Sequence, residues 1–135
     1  MKYLIDTDIA SYYLRGLFNL VDIFAEKGID NLRISIVSVA ELEVLAYKNP
    51  HSKINHLIIN SFAQNIGILD INRETWQFFS LLKAETLSVG MKKGDIDILI
   101  ASVAKQHGMI LITNNTRHYE NLVEVENWIE SSKHN

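Results

Sequence analysis

The stretch Lys2-Tyr3-Leu4-Ile5-Asp6-Thr7-Asp8 decides the fold. Lys2 to Ile5, three of its residues apolar in a row and cut off by an acid, reads as a short strand buried on both faces, because a half-exposed strand would alternate apolar with polar. Asp6 then stands at a sheet edge with little freedom to avoid its neighbours. Related arrangements return along the chain. Leu32 to Ile36 leads to Glu41, Asp97 opens the run Ile98-Leu99-Ile100-Ala101, and Ile110-Leu111-Ile112 delivers Thr113-Asn114-Asn115. Carboxylates placed alike on successive α/β units can gather at one edge of a parallel sheet, where they repel unless a cation sits among them. Oxygen-only donor sets suit Mg²⁺ or Mn²⁺, so the pattern points to metal-dependent chemistry on phosphate.

The remaining elements follow from periodicity. Asp8 to about Leu17 is predicted helical, with Ile9, Tyr12, Tyr13 and Leu17 on one side, and Leu20 to Ala25 adds a second amphipathic turn before Gly28. Val39 to Tyr47 is helical and breaks at Asn49-Pro50, and His51 to Gln64 has helical spacing. Ile66 to Ile71 reads as a third strand, Arg73 to about Ser88 and Asp95 to Gln106 as helices, Ile110 to Ile112 as a fourth strand, and Leu122 to Val125 as a fifth at an edge. Strands alternating with helices imply an α/β fold whose parallel sheet of four to five strands is covered on both faces. Right-handed crossovers place ligands outside the carboxyl ends of such strands, where Asp6, Glu41 and the segment 113–115 fall.

A chain of 135 residues with one proline and six scattered glycines reads as one domain, 1–135, without linker or repeat. Its apolar stretches are too short to span a membrane, and its start lacks the pattern of a secretory signal. The absence of cysteine removes disulfides, zinc–thiolate sites and thiol nucleophiles, and an intracellular, cytoplasmic protein is the simplest expectation. A net charge of −3 counts against a free-standing nucleic-acid binder. Its distribution softens the point. Arg73, Lys83, Lys92, Lys93, Lys105 and Arg117 cluster in residues 73–118, while Glu120, Glu124, Glu126 and Glu130 outweigh Lys133 in the tail. A bound divalent ion would also reverse the local sign at the carboxylates.

Each acid has a structural explanation too. Ser38-Val39-Ala40-Glu41 matches a capping box, worth about 1 kcal/mol without any catalysis. Asp95 is a candidate N-cap, Asp97 complements a helix dipole, and Asp6-Thr7-Asp8 offers three caps. Asp6 and Asp97 are the two best read as ligands, the first fixed after a buried strand, the second with only its helix's first turn free for water. Thr7, Thr113 and Asn115 either hold water or phosphate oxygen beside a metal or turn the chain after a strand. The histidines at 51, 56, 107, 118 and 134 form no zinc-type pair, and only His118 lies near the segment 113–115. The aromatic residues Tyr12, Tyr13, Phe18 and Phe24 read as core or subunit interface rather than a base-stacking platform.

Taken in order, these residues resemble a PIN-domain ribonuclease of the VapC type, the toxin half of a toxin–antitoxin pair. The resemblance is carried by Tyr3 to Ile9, Ser35 to Leu42, Asp97 to Ala104, Leu111 to Tyr119 and Val123 to Trp128. It implies a three-layer α/β/α fold with strand order 3-2-1-4-5, Mg²⁺ or Mn²⁺, and hydrolysis of RNA phosphodiesters, with a structured RNA such as a tRNA as target. It also implies Asp6 and Asp97 as principal metal ligands, Glu41 as the third acid, and Thr113 and Asn115 as groups that position the scissile phosphate or metal-bound water. Asn115 stands where the family often has a fourth acid, and Asp8 or Asp95 is placed to supply the missing charge. Lys92, Lys93 and Arg117 are candidates for steering the RNA backbone. The implied partners are a VapB-like antitoxin and a second copy in a homodimer built on the apolar early helices. Two alternatives remain at this level. A haloacid-dehalogenase-like phosphatase also begins with a strand and Asp-x-Asp, and Gly94-Asp95 echoes its late acidic motif; a non-catalytic PIN module would bind RNA or protein only.

Overall fold

A computed structural model describes residues 1–129; Glu130, Lys133 and His134, named above, lie outside the described residues. Five parallel strands, β1 (Tyr3–Ile5), β2 (Leu32–Ser35), β3 (Ile68–Leu69), β4 (Ile110–Ile112) and β5 (Val125–Glu126), form one sheet in the order β3-β2-β1-β4-β5. The α/β class, the strand order and the central place of β1 are those expected. Alternation along β1 splits the core in two, since successive side chains leave a strand on opposite faces. Tyr3 and Ile5 join Ile34 and Ile112 on one face, while Leu4 and Leu111 face the other way.

The first face is covered by α1 (Thr7–Leu14), α2 (Leu20–Lys27) and α4 (His56–Ile66), and the second by α5 (Arg73–Ser88) and α6 (Asp95–Gln106). Between them α3 (Ile36–Lys48) sends Val39, Leu42 and Ala46 to the first core and Val37 to the second. Of the aromatic stripe, Phe24 is fully buried with Tyr13 stacked on it at 4.3 Å, whereas Tyr12 packs its edge against the exposed Phe18. The C-terminal Trp128 closes the first core edge-on to Tyr3, 5.1 Å between centroids.

Several boundaries move, each for a local reason. Helix α3 starts three residues before the expected Val39 because Ser35, the last residue of β2, is its N-cap and accepts from the Val37 N–H at 3.1 Å. The capping box expected at Ser38 and Glu41 is therefore absent: Ser38 is fully buried inside the helix, its hydroxyl without a hydrogen-bond partner. Helix α4 begins at His56 rather than His51, capped by Asn55, whose side chain accepts from Ile58 N–H. The third strand shrinks to two residues because Ile66 still belongs to α4 and Gly67 makes the turn at φ 96°. Asp95 is no cap; Gly94 occupies that position, and Asp95 pairs with Lys83 at 2.7 Å. A short helix after β4, α7 (Thr116–Tyr119), carries no periodic signal in the sequence.

Candidate active site

The carboxyl ends of β1 and β4, the start of α1, the second turn of α3 and the start of α6 meet at one edge of the sheet. Asp6 leaves β1 in extended conformation and caps α1, its Oδ1 accepting from Thr7 N–H at 2.8 Å. Its Oδ2 accepts from the buried Thr113 hydroxyl at 2.9 Å, and its own backbone N–H donates to the Ile112 carbonyl. The neighbouring strand thus grips Asp6 by backbone and side chain together. The Thr113 hydroxyl in turn accepts from Asn115 N–H at 3.1 Å, which fixes the turn that presents Asn115.

The other acids are held as closely. Glu41 projects from α3 to accept from the Thr7 hydroxyl at 2.6 Å. Asp8 accepts from Ile9 N–H and, through its second oxygen, from Asn114 N–H at 3.0 Å. Asp97, in the first turn of α6, accepts from the Tyr119 hydroxyl at 2.8 Å on Oδ1 and lies 2.6 Å from His118 Nε2 on Oδ2. Either partner of this contact can supply the proton, and the imidazole donates to Asp97 in the tautomer that carries hydrogen on Nε2. The His118 carbonyl is itself held by the Lys93 ammonium.

Asp6, Asp8, Glu41, Asp97, Asn115, His118 and Tyr119 all line one open cavity of about 460 Å³. The three acids expected to converge, Asp6, Glu41 and Asp97, all line this cavity. Asp8 joins them, whereas Asp95 is turned away toward Lys83 and does not line the cavity. Sequence reasoning found Tyr119 only within a motif and gave it no role, and it missed Arg15, which also lines the cavity. Neither had a readable signal, since Tyr119 gains its partner 22 residues back only through the fold.

The electrostatics favour a cation here. Asp6 is 6% exposed, and its carboxyl is pushed up to about 7, first by burial and then by the negative charge of Asp8, against the hydrogen bonds from Thr113 and Thr7. Burial also raises the Asp8 carboxyl. Burial, followed by the charges of Asp6 and Asp97, raises the Tyr119 phenol, which stays a protonated donor. A buried carboxyl that resists ionisation among like charges gains most from a divalent ion beside it. Among the described residues no three His, Asp or Glu side chains form a ready-made ion cage; each carboxylate already faces protein donors. Lone pairs remain, about four to a carboxylate, and the hard oxygen donors fit Mg²⁺ or Mn²⁺.

Residues 3–122 match the PIN domain, and the chain belongs to that family. Within it, the chain falls among the VapC ribonucleases, hydrolases acting on RNA. It is 32% identical over 132 residues to ribonuclease VapC2 of Haemophilus influenzae, covering 96% of this chain and 99% of that protein. It is 28% identical to the tRNA(fMet)-specific endonuclease VapC of Shigella flexneri, covering 95% and 98%. The fold superimposes on VapBC2 of Rickettsia felis bound to a promoter DNA fragment with a TM-score of 0.81 and 25% identity, over 95% of this chain and 99% of that one. DNA-bound VapBC of Salmonella typhimurium gives 0.87 over 95% and 98%, at 23% identity, a likeness of fold. A phosphatase reading based on Asp6-x-Asp8 and Gly94-Asp95 loses its second motif, since Asp95 stands outside the cavity. Among the described residues, no helix is long and apolar enough to cross a membrane.

Proposed function

We propose that this chain is a divalent-metal-dependent endoribonuclease that hydrolyses RNA phosphodiesters as the cytoplasmic toxin of a toxin–antitoxin pair. The observation that carries the reading is the convergence of Asp6, Glu41 and Asp97, from three separate elements, on one cavity. Asp6 and Asp97 would hold the ion, directly or through water, with Glu41 completing its surroundings. A bound Mg²⁺ or Mn²⁺ supplies an activated water and offsets charge gathering on the phosphoryl oxygens. Thr113 fixes one Asp6 oxygen, Thr7 fixes Glu41, and Tyr119 with His118 fixes both oxygens of Asp97, so the acids are set before substrate arrives. Asn115, presented by the same turn as Thr113, is placed to orient the scissile phosphate or its attacking water.

The substrate reading is a structured RNA such as a tRNA, supported by the two relatives named tRNA(fMet)-specific endonucleases, at 28% and 24% identity. A VapB-like antitoxin as inhibitor is supported by the VapBC complexes that share the fold. The exposed apolar side chains Leu17, Phe18 and Val21 support pairing of two copies through the early helices. The test is direct. Purified protein with Mn²⁺ should cut RNA, while Asp6→Asn and Asp97→Asn should fold and not cut. Equal cutting by both variants would overturn the assignment, and a protein that binds RNA but never turns over with metal would be a non-catalytic PIN module.

A further inference from the structure

We propose that Arg15 and Tyr12 form a phosphate-gripping entrance beside the acidic centre, and that the chamber beyond it receives one unstacked nucleotide of a single-stranded RNA segment. This rests on the ribonuclease reading and adds to it the residues that hold the phosphate and the nucleotide flanking the cut.

Charge supplies the first argument. The acidic cavity is lined by four carboxylates, a field that repels a phosphodiester, and Arg15 is the one permanent cation among its lining residues. The lysines and Arg117 singled out in the sequence do not line it, and the ammonium of Lys93 is committed to the His118 carbonyl. Arg15 forms no ion pair among the described residues, although it borders four acids. Its guanidinium carbon instead lies 5.0 Å from the centroid of the Tyr12 ring. A guanidinium held by a ring keeps its fork of N–H donors for a planar or tetrahedral anion. Phosphate takes that fork in two parallel hydrogen bonds.

Shape supplies the second. Ser11 and Arg15, one turn apart, and Leu45 of α3 line the acidic cavity and also a neighbouring one of about 430 Å³. That size lies within the range of small-ligand sites, about 300–1,000 Å³. Its walls are Leu42, Leu45 and Ala46, suited to the face of a base, with Asn49 and Lys48 at the end of α3 offering an amide for a base edge and a second cation. A base paired within a duplex remains stacked and cannot enter a chamber; an unpaired loop nucleotide can be splayed into it. Arg15 therefore grips the phosphate between the two cavities, with the reacting centre on one side and the flanking nucleotide on the other.

The experiment measures binding of a fluorescein-labelled heptaribonucleotide, and of the same sequence as a duplex, to the full chain in the Asp97→Asn background. The single strand should bind at least ten-fold tighter than the duplex. Arg15→Ala should weaken it ten-fold or more and lower the slope of log affinity against log salt by about 0.7, the contribution of one single-strand phosphate. Arg15→Lys should restore the slope and part of the affinity. An unchanged melting temperature controls for folding, since the Arg15 side chain is exposed. Unchanged affinity and slope in Arg15→Ala, or equal binding of duplex and single strand, would overturn the proposal while wild-type cleavage left the ribonuclease reading standing. Arg15→Ala that spares RNA binding but abolishes binding of an acidic peptide would assign the groove to a protein partner and overturn it too. If the wild-type chain fails to cut any RNA with Mn²⁺, the underlying reading fails with it.

Discussion

The Tyr119 hydroxyl donates to Asp97 Oδ1 at 2.8 Å while His118 Nε2 sits 2.6 Å from Oδ2, so two adjacent residues of one short helix hold both oxygens of a carboxylate on another. Tyr119 is 2% exposed, so its ring is held in place by packing while its hydroxyl reaches Asp97. Partners of this kind orient metal-binding side chains, and their loss typically costs ten- to a hundred-fold in metal affinity or activity. Tyr119→Phe is therefore expected to weaken Mn²⁺ binding by about that factor, read by calorimetry, without changing the melting temperature by more than a few degrees. Unaltered Mn²⁺ affinity would show that Asp97 does not depend on this grip.

Asp6 gives stability a pH dependence of definite sign. Its carboxyl rises from 3.8 to about 7 in the fold, so between those values the native state keeps a proton that the unfolded chain has lost. This stabilising contribution is complete below pH 4 and disappears as the pH rises through 7. In EDTA the urea midpoint should fall between pH 5 and pH 8, reflecting a loss of unfolding free energy of a few kcal/mol at most, given about 1.4 kcal/mol per unit of pKa. Asp6→Asn should flatten that slope. A midpoint rising with pH over the same range, unaltered by the substitution, would contradict the environment described for Asp6.

Asn115 and Asp8 divide a task between charge and position. Asn115 lines the cavity without charge, and Asp8 lines it with one, tied to Asn114 N–H. Asn115→Asp should raise the affinity or the number of bound Mn²⁺ ions, and Asp8→Asn should lower the affinity, both read by Mn²⁺ electron paramagnetic resonance. Identical titrations for the three proteins would show that neither residue reaches the ion.

Ser35 and Ser38 separate two accounts of how α3 begins. Ser35→Ala removes an N-cap and should cost about 1 kcal/mol. Ser38→Ala removes a buried hydroxyl that has no partner, and should be neutral or stabilising by roughly 1 kcal/mol. Chemical denaturation of both variants decides the matter; a loss at Ser38 matching that at Ser35 would restore the later start.

Much of this was legible in the residues. The buried first strand, expected from Lys2 and found from Tyr3 to Ile5, and the helix boundaries at Arg73, Ser88, Asp95 and Gln106 follow from hydrophobic patterning, and the sheet order from the family resemblance. That Asp6, Glu41 and Asp97 border one cavity follows from the parallel topology, which puts the end of β1 and the early turns of α3 and α6 at one edge of the sheet. What stayed hidden was contact between elements distant in sequence. Ser38-x-x-Glu41 fits a capping box locally, but Ser35 reaches the cap first because the strand runs straight into the helix, freeing Glu41 to meet Thr7. Asp95 resembled a spare acid until Lys83, 12 residues away, claimed it. Arg15 was invisible for the same reason: a lone cation after a helix acquires meaning only from the two cavities it divides.

The segment from Thr113 to Tyr119 has a bearing on how the chain comes into being. The acids at positions 6, 41 and 97 are all synthesised before the hydroxyls and imidazole that fix Asp6 and Asp97, and β4 must slot in beside β1 before the Asp6 amide finds its carbonyl. A nascent chain halted before β4 carries every carboxylate of the site yet lacks its scaffold. Assembly of the site is thus tied to the arrival of Thr113, His118 and Tyr119, so its geometry is completed by residues that follow every one of its carboxylates along the chain.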